Sequence, residues 1–527
     1  MYIGIYVGLS VLAGLMGTLR FLFIRVAALR SSQALFASLL SVVLAAPILW
    51  LDTVPLGRVL NRFTTDIYTM DYLGSNLADL FLWTLQTCGI IVANVIVSPI
   101  LLAPAAILLA ASLVMLVLYS RAAREVKRLE SISKSPILIQ FTSSLVGLTT
   151  IRAFDLTHKY TESMFGRIDD HAKVLRNLWL MNSWLQLRIN LFGAIFSSII
   201  AILVVKLGAS SSQAGFAIGF LLQYNNAVSS MIRFYATFEM DMNAAERVLE
   251  YTDIETEPQG GVDPPAAWPT KGRLVVDKLV VSYSPELPPV LKGLTFTVES
   301  NERVGVVGRT GSGKSTLALA LFRFVEARQG KILIDGIDTS EVKLHALRRG
   351  LAIVPQHPTL FTGTIRSNLD PFNYYSETEL RNAIERVHLA DPNNDTENSF
   401  TLDTAVSEGG ENFSQGQRQL LCLARATLQR PKVMILDEAT SAVDKQTDVY
   451  LQQSIRSEFG RNMGSLLVVA HRLSTVADFD RILVMDDGKI VEFGTPQDLL
   501  KIHGGVFQEL VNQSGERALL RKIILRS

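Results

Sequence analysis

The stretch GGENFSQGQRQLLCLARA, Gly409 to Ala426, lies between a glycine-rich loop and an apolar run that ends in two carboxylates. The loop is GRTGSGKST, Gly308 to Thr316, and the run opens VMILDEATSAVD, Val433 to Asp444. The loop follows an apolar strand, ERVGVVG, and opens a helix, LALALFRF. That context confines this half of the chain to an α/β fold with a P-loop. Ahead of it lies a strongly apolar half-chain of another class.

Composition separates the two halves. Apolar content of 49%, charged content of 19% and a mean hydropathy of +0.28 are too apolar for an ordinary soluble enzyme. The excess lies before about residue 240, which points to membrane spans rather than a large core. A net charge of +1 argues against a nucleic-acid partner. Two cysteines, Cys88 and Cys422, suggest no disulfide framework. The opening run reaches Arg20 and Arg25 without a small-residue cleavage pattern, so it reads as a span rather than a cleaved signal.

Spanning lengths occur at roughly 1–26, 75–97, 99–118, 190–207 and 214–235. Arg20, Arg25, Arg30, Arg58 and Arg62 flank one loop, and Arg121, Arg124, Lys127 and Arg128 begin the next long one. The positive-inside rule puts both loops, and with them the C-terminal half, in the cytoplasm. Ala34 to Leu51 is apolar enough for a sixth span. Crossing there would split the arginine clusters, so the expectation is a long helix leaving the membrane. The expected layout is a transmembrane domain over 1–240, a Pro- and Gly-rich linker over 241–270, an ATPase domain over 271–513 and a tail over 514–527.

In the second half, loop residues Gly308, Arg309, Thr310, Gly311, Ser312 and Gly313 suit a backbone that wraps closely around phosphates, with N–H groups and a helix N-terminus facing the charge. Lys314 is positioned for the β- and γ-phosphates, Ser315 for Mg²⁺, and Thr316 continues the cradle. Asp437 suits the Mg²⁺ shell. Glu438 suits the orientation and activation of the attacking water. Alone, such a carboxylate pair reads as a strand-end cap or surface ion pair. His471 follows the apolar strand SLLVVAH; a lone histidine there is usually structural, and in this arrangement it suits a contact to the γ-phosphate.

The whole set, in this order, resembles the nucleotide-binding domain of ABC transporters. The resemblance implies an α-helical transmembrane domain of the type I ABC exporter kind followed by an α/β P-loop ATPase domain, using ATP and Mg²⁺. It implies that Tyr283 stacks on adenine and that Gln356 contacts Mg²⁺ and reads coupling helices. It further implies that Ser414, Gly416 and Gln417 complete the ATP site of an opposing domain, with Ser441–Asp444 crossing between the two. Asp52–Asp71 resembles a coupling helix, broken from the preceding helix at Pro55-Leu56-Gly57; the plainer alternative is a solvated amphipathic turn. Glu130–Phe154, with Pro136 opening a helix, is a second candidate. SISKSPILIQF, TTIRAF, RSNLDPF and EGGENFSQGQRQLLCLARA resemble the second half of C-subfamily, multidrug-resistance-associated exporters, with a fungal flavour.

Two departures stand out. The signature reads Phe413-Ser414-Gln415-Gly416-Gln417 where the family form is Leu-Ser-Gly-Gly-Gln, so Gln415 places a side chain where glycine lets backbone approach phosphate. The expected partner is therefore a second, non-identical transmembrane and ATPase half. Five spans also fall one short of the family's six; either the chain is truncated or a partner supplies the rest. The expected function is ATP-driven export of drugs, conjugates or secondary metabolites across a bilayer, at the plasma membrane or the vacuolar membrane. The alternatives are a non-pumping ATP-gated or regulatory protein and an inactive fragment of a longer transporter.

Overall fold

The computed structural model describes residues 2–97, 102–206, 211–389, 400–437, 445–458, 464–470 and 472–525. Two compact units emerge: Met1–Ala46 with Val54–Glu255, and Pro47–Thr53 with Thr256–Ser527.

The first unit is helical: α1 (Tyr2–Leu44), α3 (Leu56–Asn61), a π-turn (Arg62–Asp66), α4 (Ile67–Val97), α5 (Leu102–Val146), α6 (Leu148–Ala153), α7 (Thr157–Lys206) and α8 (Ser211–Thr252). Helix α2 (Ile48–Thr53) falls in the second unit. The described residues of the five expected spans lie on five different long helices: α1, α4, α5, α7 and α8. Among the described residues, three helical stretches are long and apolar enough to cross a membrane: Tyr2–Leu44, Leu56–Ala93 and Ala106–Val146. Helix α1 has 43 residues, roughly 65 Å against a hydrocarbon core of about 30 Å. It runs unbroken through Leu44, so most of the apolar stretch 34–51 extends the first helix rather than forming a second.

Two local expectations are corrected. The isolated short helix is Ile48–Thr53, bracketed by Pro47 and Pro55, whereas Leu56–Ala93 runs as one helical stretch through the π-turn. Pro136 does not open a helix. It lies inside α5, and the break comes at Gly147, after which α6 and a left-handed Asp155 (φ 52°) lead into α7.

In the second unit the elements run β1 (Leu274–Val281), β2 (Leu291–Val298), β3 (Arg303–Gly308), α9 (Lys314–Leu321), β4 (Ala327–Ile334), β5 (Ile337–Asp338), α10 (Leu344–Gly350) and β6 (Leu351–Val354). They continue with β7 (Gly363–Thr364), α11 (Ile365–Leu369), α12 (Glu377–Arg386), β8 (Ala405–Val406), α13 (Gln415–Gln429), β9 (Val433–Asp437) and α14 (Lys445–Glu458). After these come β10 (Ser465–Val469), β11 (Arg481–Asp486), β12 (Lys489–Gly494) and three short closing helices.

The main sheet has the order β12-β11-β3-β10-β9-β6, with β12 antiparallel and the rest parallel. Strands β9 and β10 are near-continuous apolar runs, and β3 is buried through its four middle residues, as parallel strands covered on both faces require. A four-stranded antiparallel sheet, β2-β1-β4-β5, shares one apolar core with α9 and the main sheet. A second core gathers around α13. Leu49 of α2 packs on the first of these cores.

Candidate nucleotide-binding site

The parallel strands end together, so their carboxyl edges line up the residues that follow them. In register, Val469 of β10 pairs with both Val306 of β3 and Asp437 of β9, and Val354 of β6 pairs with Leu436. Gly308, Asp437 and Gln356 therefore sit at one edge of the sheet, where open α/β sheets bind ligands. Glu438, Ser441–Asp444 and His471 lie outside the described residues.

The glycines of the loop between β3 and α9 answer to close approach at Gly308 and to backbone conformation at Gly311, φ 82°, and Gly313. A Cβ on Gly308 would lie 2.2 Å from the Met485 carbonyl oxygen. Gly313 caps α9 in the left-handed region, φ 97°, which favours glycine. Arg309, Thr310 and Gly311 are exposed and Ser312 is buried. Lys314 is only 7% exposed, and its ammonium donates to the carbonyls of Gly308 at 2.9 Å and Arg309 at 3.0 Å. The cation is thus held over the loop by weak neutral acceptors that a charged phosphate can replace.

Ser315, one residue further on, donates its hydroxyl to Asp437 Oδ1 at 3.4 Å. A hydroxyl and a carboxylate converging at the sheet edge are hard oxygen donors suited to Mg²⁺. Tyr283, on the loop between β1 and β2, shares a hydrogen bond at 2.9 Å with the hydroxyl of Thr316, which is buried in α9. The loop, Lys314, Ser315, Thr316, Tyr283 and Asp437 form one cluster.

The signature residues open α13. Ser414 Oγ accepts from Gln417 N at 3.2 Å, and Gln417 Oε1 accepts from Ser414 N at 2.8 Å, a complete capping box. Gly416 is buried in the first turn. The Gln415 amide is bent back along the helix, its Oε1 accepting from Arg418 Nη2 at 2.9 Å.

The family model described as "ABC transporter" matches residues 291–441, and that described as "ABC transporter transmembrane region" matches residues 1–228. The chain belongs to the ABC transporters. Over its whole length this ABC chain is 39% identical to the "Pleiotropic ABC efflux transporter of multiple drugs YBT1" of Candida glabrata, covering 33% of that protein. It is 39% identical over 98% of its length to human "ATP-binding cassette sub-family C member 4", covering 39% of it. These relatives agree with the C-subfamily resemblance read from the motifs. The chain spans about a third of the length of the curated relatives it matches. A bacterial Atm1-family ABC exporter solved with ATP bound shares the fold, with a TM-score of 0.83 at 23% identity over 95% of this chain and 88% of that one. The helical transmembrane domain followed by an α/β P-loop domain is therefore as expected.

Sequence reasoning missed the Tyr283–Thr316 bond and the placement of α2. For α2 a signal existed: Pro47 and Pro55 bracket ILWLDT, and a proline suits a helix start and disfavours helix in the residue before it.

Proposed function

We propose that the chain is one half of an ATP-driven exporter, working with a second, non-identical half. One observation carries this reading: Lys314, Ser315 and Asp437 meet on a glycine loop at the sheet edge, in the same chain as helices of spanning length. Lys314 and the loop amides hold the phosphates, Tyr283 receives the adenine, and Ser315, Asp437 and Gln356 hold Mg²⁺. When bound, the ion neutralises charge that develops on the phosphates. Glu438 orients the attacking water and His471 holds the γ-phosphate. Ser414, Gly416 and Gln417 serve the partner's site.

The transported molecule is an amphipathic anion. In the helical unit a cavity of about 410 Å³ is lined by Asn182, Gln186 and Asn190 at helical spacing on α7, by Asn226 and Arg233 on α8, and by Tyr119 on α5. One cation among amides, with Leu185, Ile189 and Ile232 between them, suits a charged group on an apolar body. The chain crosses the bilayer five times with the ATPase unit in the cytoplasm, at the plasma or vacuolar membrane.

The test is uptake into inside-out vesicles from cells producing the chain with its partner half, using a labelled amphipathic anion conjugate. ATP-dependent accumulation that Lys314→Ala and Arg233→Ala each abolish is the expected result. ATP-dependent current without accumulation would replace export by gating, and nucleotide-independent flux would overturn the reading.

A further inference from the structure

Arg62, Phe63 and Asp66 all belong to the five-residue π-turn between α3 and α4. A π-turn adds a residue to the helical turn, and such turns are frequent at functional sites. Phe63 meets Phe36 of α1 edge-on, with ring centroids 5.6 Å apart. Arg62 lies over the ring of Tyr251 on α8, 5.1 Å from its centroid.

Asp66, 2% exposed, is the centre of the cluster. It accepts from Arg62 Nη1 at 2.8 Å and from Arg247 Nε at 3.2 Å on one oxygen, and from Arg247 Nη2 on the other. Arg247 thus grips both carboxylate oxygens, a geometry with direction as well as strength. A buried carboxylate is tolerable only when paired, and two guanidiniums pair this one.

The position of the cluster in the chain gives it meaning. The chain passes between the two compact units after Ala46, after Thr53 and after Glu255. The helices of the first unit next to those passages are α1, α3 leading through the π-turn into α4, and α8. The π-turn bonds to all of them, across 181 positions of sequence in the case of Asp66 and Arg247.

We infer that Arg62, Phe63, Asp66, Arg247 and Tyr251 form a brace that makes the three connections to the ATPase unit move as one body. The residues are positioning residues: none of them lines the cavity assigned to the transported molecule or belongs to the cluster around Lys314. This rests on the exporter reading above, because it concerns how ATPase motion reaches the spans. With the brace intact, a displacement arriving through α8 is delivered at once to α1 and α4. Without it, α8 moves and α4 lags.

The experiment uses the full chain, assembled with its partner half in lipid nanodiscs, with Cys88→Ala and spin labels at Tyr68 on α4 and Leu249 on α8. The label-to-label distance, ATP affinity and stimulation of ATPase by the transported anion are measured together. In the parent, saturating Mg²⁺–ATP should leave one narrow distance unchanged. In Asp66→Ala and Arg247→Gln, ATP should broaden or shift that distance and the anion should no longer stimulate hydrolysis, with ATP affinity within about twofold of the parent. Asp66→Glu should restore both. Arg247→Gln leaves Arg62 to pair Asp66, so it tests the brace even where Asp66→Ala fails to fold. A fixed distance and retained stimulation in Arg247→Gln overturn the brace alone. A parent chain that binds no ATP overturns the exporter reading, and the brace with it.

Discussion

Ser315 and Asp437 are 122 positions apart in sequence, and the Ser315 hydroxyl donates to the Asp437 carboxylate at 3.4 Å. Only the parallel pairing of β3 and β9 with β10 between them brings the loop of one strand to the end of the other. The pair joins the helix start of the P-loop to the end of β9, and it makes Mg²⁺ dependence the most direct readout of the site.

Asp437→Asn should therefore raise the Mg²⁺ concentration needed for half-maximal ATPase activity. A direct ligand should lose more than the roughly 10–100-fold typical of groups that only orient one. Nucleotide binding in EDTA should stay near the parent value, because Lys314 and the loop amides remain. An unchanged Mg²⁺ titration would remove Asp437 from the metal site.

Tyr283 separates two contributions that substitution can split. Tyr283→Ala removes the ring, and loss of a base–aromatic stack costs about 1–3 kcal/mol, roughly 5–150-fold in ATP affinity. Tyr283→Phe keeps the ring and loses only the bond to Thr316, worth about 1 kcal/mol. Tripolyphosphate, which has no base, should bind all three proteins alike. Equal losses for ATP and tripolyphosphate would make Tyr283 a packing residue.

The site was legible where local chemistry is written in local residues. Glycines at 308, 311 and 313, a lysine and a serine at a helix start, and Asp437 closing an apolar strand are short-range patterns that need no distant partner to be read. The helical unit was less legible, because its decisive contacts are long-range. Nothing around Asp66 announces Arg247, and nothing around Tyr119 announces that its hydroxyl donates to Asn182. Pro136 misled for a physical reason. Proline is a strong breaker in a short helix, but α5 has 45 residues, and neighbouring helices can satisfy the backbone groups it frees.

Asp335 predicts a pH dependence. Its carboxylate accepts from the backbone N–H groups of Thr270 at 2.7 Å, Lys271 at 2.9 Å, Gly272 at 3.2 Å and Arg273 at 2.8 Å. Burial works against the ionised form, but these donors outweigh it and hold the carboxyl below its ordinary range. A depressed folded value means stabilisation that is complete above the unfolded pKa of about 3.9 and is lost as pH falls through the folded one. Amide exchange across Thr270–Arg273, corrected for intrinsic rates, should quicken below about pH 4. Asp335→Ala should quicken it at neutral pH, at a cost of about 2 kcal/mol, and leave no acid limb. An acid limb that survives the substitution would assign it to another carboxylate.

Gln415 gives the sharpest test of assembly, because the structure ties its side chain to Arg418. At the first turn of α13, where an opposing phosphate would meet the helix N-terminus, the amide is drawn back along the helix. Arg418 also reaches the Gly409 carbonyl at 3.4 Å, so one guanidinium holds both the side chain and the turn before the helix. Two substitutions then act in opposite directions. Gln415→Gly removes the side-chain stem that stays at the helix start even with its amide drawn back, and should speed ATP hydrolysis by the chain purified alone, despite roughly 0.5–1 kcal/mol of lost helix stability. Arg418→Ala frees the amide to swing into the phosphate's path and should slow it further. Adding a partner half with glycine at the matching position should raise the parent's activity and make it insensitive to Gln415→Gly at this chain's own site. Robust activity of the chain alone, unmoved by either substitution, would refute the asymmetric pairing and leave a self-sufficient homodimer.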